Sequence, residues 1–182
     1  IAIYLAIIVY RDNKNGKLNK IYLLMTALML CWVNFAYIPR FLITPIVYPL
    51  SLVLLKIAWL ASPIFIGSIY FLAINLINKS KQYNVLSKFI LVVSIVTAVI
   101  TFFTDYVIKG LDVIDGIVTI TYGSGMNFFL GVSFLIVVAT LYPIIRKDVL
   151  KEDNARHFLL GVFIFYFANV VFNITLPVFF GV

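Results

Sequence analysis

Apolar runs separated by short polar breaks occupy the whole chain, with no alternation of the kind that builds a barrel strand. The first run, "IAIYLAIIVY" (1–10), precedes "RDNKNGKLNK" (11–20), and the next extends over 21–38 before Pro39 and Arg40. Residues 41–78 are too many for one straight crossing. Pro45 and Pro49 disfavour regular helix in the first part, which places the next span at 50–78. "KSKQYNVLSK" (79–88) then leads into a span at 89–104, another follows at 124–145, and "RKDVLKEDNAR" (146–156) separates it from the last, at 157–180.

A helix needs about 20 apolar residues to cross the hydrocarbon core, and ten reach only about 15 Å. Segment 1–10 therefore reads as the tail of a longer helix. A signal peptide fits it poorly, because the basic residues follow the apolar run and no small-residue cleavage site appears. The pattern predicts an all-α membrane protein, a polytopic bundle of one partial and five complete transmembrane helices, with 1–182 as a single domain. Pro63 within span 50–78 predicts a kink, since its ring removes a backbone donor and crowds the preceding turn.

Composition agrees with that solvent: 64% of the residues are hydrophobic, 12% are charged, and the mean hydropathy is +1.12. Charge adds orientation. Loops 11–20, 79–88 and 146–156 hold eleven of the 14 basic residues, and short basic loops stay on the cytoplasmic side, so both ends are expected outside. The net charge of +7 follows from the same rule, which removes the case for nucleic acid and makes the bilayer and its anionic headgroups the expected partners.

Three of the seven acidic residues, Asp105, Asp112 and Asp115, fall in the segment 103–123 on the expected outer face. Its interleaved Val107, Ile108, Val113, Ile114, Ile117 and Val118 are too apolar for a free loop. It is expected to fold over the bundle mouth or pair as a short hairpin, acting either as a structural lid or as a ligand-contacting loop.

Polar residues inside spans are costly in hydrocarbon and tend to face protein. Lys56 is read either as snorkelling to the outer headgroups or as a buried functional cation that meets Asp105 or Asp112. Asn169 and Asn173, four apart, share a helix face with Pro177 following, and Asn34 and Asn75 are candidate hydrogen-bond partners for them. Gly123, Gly125 and Gly131 permit close approach near the start of the fifth helix. Pro63, Pro177 and the amides are candidate switching points.

Catalytic chemistry is not expected. Every Asp and Glu lies in a loop, so no paired intramembrane carboxylates are available, and no Walker loop, nucleophile elbow or H-E-x-x-H run occurs. The one histidine, His157, stands at a loop border as an interfacial anchor, and the one cysteine, Cys31, is a packing residue in an apolar span. No metal set and no cofactor follow from these residues.

"FTDYVIKG" (103–110), Gly116 and Gly123 before a helix, and "RKDVLKEDNARHFLLG" (146–161) leading to "NVVFNITLP" (169–177) carry a family likeness. The chain resembles the histidine kinase N-terminal seven-transmembrane region, the membrane sensor module of bacterial signalling proteins. The resemblance implies seven helices, an outside N-terminus, a place in the bacterial cytoplasmic membrane and a cytoplasmic histidine kinase or other output domain reached in cis through the seventh helix. It also places the aspartate segment on the stimulus-receiving face. The first helix is short of the family's pattern and the seventh is missing, as are the kinase boxes. The absence of an initiating Met and the apolar end at Phe179, Phe180 and Val182 read as a piece of a longer protein. A second copy of the chain and an unidentified small ligand complete the expected partners.

A small-molecule membrane carrier, such as the substrate-binding subunit of a vitamin uptake system, is the alternative. Trp59, Tyr48, Tyr106 and Tyr122 would then line an outer pocket for a flat substrate. An accessory subunit that only packs against partners is a third reading.

Overall fold

The computed structural model describes residues 4, 7, 8, 10, 11, 14–41, 48–76, 81–114, 117–145, 160, 161 and 164. Four helices are traced through them: α1 (Lys17–Phe41), α2 (Tyr48–Leu76), α3 (Asn84–Phe103) and α4 (Met126–Ile145), with strands β1 (Ile108–Ile114) and β2 (Ile117–Tyr122) between the last two helices. The first three helices are long and apolar enough to cross a membrane, and α4 is a shorter apolar helix over Met126–Tyr142. The expected spans 21–38, 50–78, 89–104 and 124–145 correspond to these four. The expected spans 1–10 and 157–180 lie outside the described residues except for single helical positions, among them Tyr10 and Leu160.

Helix α2 is the hub, against which α1, α3 and α4 all pack. It opens with Pro49 in its first turn, where the missing N–H would have had no intrahelical acceptor. It then runs through Pro63, which is buried and does not end it. The sequence expected regular helix to begin only at 89 after the basic loop, whereas α3 begins at Asn84. Val85, Leu86 and Phe89 continue its apolar pattern without a breaker.

The burial pattern of α3 is inverted relative to a helix in water. Ser87, Ser94, Thr97 and Thr101 are buried, while Phe89, Val92, Val96 and Phe103 are exposed. Small hydroxyl residues facing a neighbouring helix, with large apolar residues facing out, are what hydrocarbon solvent selects. The hydroxyls of Thr101 and Ser87 donate to carbonyls four residues back, Thr97 O at 2.7 Å and Tyr83 O at 2.8 Å. This satisfies them without help from another helix.

The strands correct the all-α expectation: residues 108–122 form an antiparallel hairpin added to a mostly helical chain. In β2, Val118, Ile120 and Tyr122 pack on the helices, and the intervening Thr119 and Thr121 occupy the other face, the period of two that a half-buried strand requires. The register pairs Leu111 with Ile120 and Ile114 with Ile117, with an irregularity between Ile108 and Gly110 that leaves Lys109 as the extra residue.

Two apolar clusters fill the bundle. One holds Phe65, Ile69, Tyr70 and Ile74 of α2 with Ile90 of α3 and Ile136 of α4. The other, at the hairpin end, holds Leu55, Ala58 and Trp59 of α2 with Val107, Ile108, Leu111, Met126 and Phe129.

Candidate functional site

The hairpin end brings together more of the chemically distinctive residues than any other described region. Lys56 stands eight residues into α2, about 12 Å along its axis from Tyr48. Its Nζ donates to Asp105 Oδ1 at 2.7 Å and to the carbonyl of Thr104 at 3.3 Å. Thr104 is the residue at which α3 stops. It is extended, and both its N–H and its hydroxyl bond back to Ile100 O, at 3.1 Å and 2.6 Å. A cation at the carbonyl end of a helix is favoured by the helix dipole as well as by the carboxylate. The sequence offered Asp105 and Asp112 equally as partners for Lys56, and the fold selects Asp105.

Asp112 has a different role. Its carboxylate accepts a short hydrogen bond from the Thr121 hydroxyl, and its carbonyl accepts from the Thr119 hydroxyl at 3.3 Å, tying the solvent-facing side of the two strands together. Asp115 lies outside the described residues, as do Asn169, Asn173 and Pro177.

Beneath the hairpin, Trp59 meets Tyr122 edge-on with ring centroids 5.8 Å apart and Phe129 at 5.2 Å. Tyr48 reaches from the first turn of α2 so that its hydroxyl accepts the Leu111 N–H at 3.3 Å, a direct hydrogen bond between α2 and β1. The aromatic residues grouped by the carrier reading are therefore neighbours, but Trp59 is a core residue and Tyr48 and Tyr122 pack against that core. The fourth, Tyr106, is at the neck of the hairpin. There Gly123 N–H donates to Val107 O at 2.9 Å and Gly125 N–H to Tyr106 O at 2.7 Å.

That neck needs its two glycines. A Cβ on Gly123 would collide with the main-chain oxygens of Asp105 and Tyr106, and one on Gly125 with the Tyr106 ring. Gly131, grouped with them in the sequence, has nothing within 4 Å of the corresponding position and is corrected to an ordinary helical glycine.

Asn34 Nδ2 donates to Leu30 O and Asn75 Nδ2 to Phe71 O, each at 2.7 Å and each within its own helix. Asn169 and Asn173, with which they were expected to pair, lie outside the described residues. Sequence reasoning passed over Thr104, Thr119 and Thr121. The signal for the two strand threonines was present in "IVTITY", which alternates, and in the Asp115-Gly116 pair before it, a strong two-residue hairpin signature. No group of three or more metal-ligating side chains occurs among the described residues.

No protein-family model, curated protein or solved structure matches the chain.

Proposed function

We propose that the chain is a multi-pass membrane sensory module, with six of a seven-helix set represented and the N-terminus outside, which relays an external or membrane stimulus to a cytoplasmic histidine kinase or similar output domain. The observation that carries the reading is the folded cap. The segment that the family resemblance assigns to the stimulus-receiving face is a hairpin keyed into α2 and α4 through Trp59, Val107, Leu111 and Phe129. A force on it is therefore a force on helix packing.

Helix lengths fit a cap that stands beyond the hydrocarbon. The 20 residues of α3 make about 30 Å of helix, one hydrocarbon thickness, whereas the 29 residues of α2 make about 43 Å. Lys56 meets the end of α3, so α2 runs on past α3 from Tyr48 to Lys56, and on this reading that excess stands beyond the hydrocarbon. The hairpin packs on that segment, and on this reading the Lys56 ammonium lies at the interface. Lys81 and Lys88, at the start of α3 and exposed, then belong to the cytoplasmic side.

The test uses the intact protein in its membrane. A cysteine at Thr119 should react with an impermeant thiol reagent from outside, and one at Lys81 only from inside. Replacing 108–122 by a Gly/Ser linker should change the phosphoryl-transfer output of the attached domain. Opposite sidedness, or an output indifferent to loss of the cap, defeats the reading.

A further inference from the structure

We propose that the Lys56 ammonium is a releasable latch, holding the junction between α3 and β1 against α2, and that the body it releases is the hairpin with the adjoining ends of α3 and α4. Both acceptors of the ammonium belong to consecutive residues of that junction, Thr104 O at 3.3 Å and Asp105 Oδ1 at 2.7 Å. The next two residues are bound elsewhere: Tyr106 O and Val107 O accept from Gly125 and Gly123 at 2.7 and 2.9 Å. The end of α3, the hairpin and the start of α4 are thus joined by main-chain hydrogen bonds that do not involve Lys56. Loss of the Lys56 contacts leaves that unit intact and removes its charged tie to α2, leaving the Tyr48 hydroxyl on the Leu111 N–H and the apolar contacts of the hairpin.

The pair is lopsided. The Lys56 side chain is 15% exposed and that of Asp105 is 70% exposed. Ions, solvent and ligands reach the contact from the carboxylate side, where screening is strong and an exposed pair is weak. Removing such a pair raises the open-to-closed ratio by up to about fivefold. A ligand with a modest preference for one arrangement can supply a bias of that size. The use of the latch in signalling rests on the sensory reading above, but the latch itself does not.

The experiment uses the intact protein in membrane vesicles, with Cys31→Ser and a reporter Val107→Cys, a position 1% exposed and two residues beyond Asp105. The readout is the rate of reaction with N-ethylmaleimide, which crosses membranes, so sidedness does not enter. Lys56→Met and Asp105→Asn should each raise the rate roughly two- to fivefold, and Lys56→Arg, which keeps the charge, should leave it near the original. An unchanged rate in both Lys56→Met and Asp105→Asn overturns the latch. So does an increase in Lys56→Arg as large as in Lys56→Met, which would trace the effect to packing. Output measured on the same preparations separates the two ideas: a raised rate with unaltered output keeps the latch and removes its signalling use.

Discussion

The ring of Tyr106 lies over Gly125, in the space where a Cβ would project, while the Tyr106 carbonyl accepts the Gly125 N–H at 2.7 Å. One residue thus closes the hairpin neck from above with its side chain and from beside with its backbone. Gly123 faces main-chain oxygens of Asp105 and Tyr106, which cannot rotate away as a ring can. Gly123→Ala should therefore destabilise the protein by about 1–3 kcal/mol, the cost of overpacking, with Gly125→Ala at or below that. Gly131→Ala should be neutral or stabilising by up to about 1 kcal/mol, as for a helical glycine with open space. Thermal unfolding of the three variants in detergent checks the order, and a Gly131 variant that is the least stable would contradict the neck geometry.

The Lys56 pair is a small contributor to stability. With Asp105 70% exposed, Lys56→Ala should lose no more than about 0.2–1 kcal/mol. The difference should shrink in 1 M salt, where the screening length falls to about 3 Å. Denaturation of the wild-type and variant proteins at low and high salt measures it. A loss several times larger that ignores salt would mean that the ammonium is buried away from solvent.

Trp59 carries much more. It is 7% exposed and touches Tyr122 and Phe129, so Trp59→Ala should cost about 3–5 kcal/mol, with Trp59→Phe well below that. If Trp59→Ala left unfolding nearly unchanged, the rings would not be packed and an open aromatic pocket would regain support.

Asn34→Ala and Asn75→Ala should each alter stability by less than about 0.5 kcal/mol, because both amides bond to their own helix. A loss above about 1 kcal/mol in either would reveal a partner on another helix.

Much of the helical part was legible in the chain. Apolar run length, Pro49 and the polar breaks fix where α1 to α4 lie to within a few residues, because a backbone in an apolar medium has to satisfy its own hydrogen bonds along each run. Residues 108–122 were harder to assign. Their apolar content excluded a free loop, and the alternation in "IVTITY" with Asp115-Gly116 carries the hairpin signal, yet two strands alone are marginal and their stability comes from the helices beneath.

The sequence by itself determined that the chain is apolar, mostly helical and interrupted by short basic segments, since those properties follow from composition and local periodicity. Only the tertiary structure decided that Lys56 meets Asp105 and the end of α3, that Asp112 serves the threonines of β2, and that Gly123 and Gly125 are confined while Gly131 is not. The reason is distance along the chain. Lys56 and Asp105 are 49 residues apart, and their meeting depends on α2 outrunning α3 by about 13 Å and on which face of α2 the junction covers. The run lengths encode the first of these, but no local pattern encodes the second.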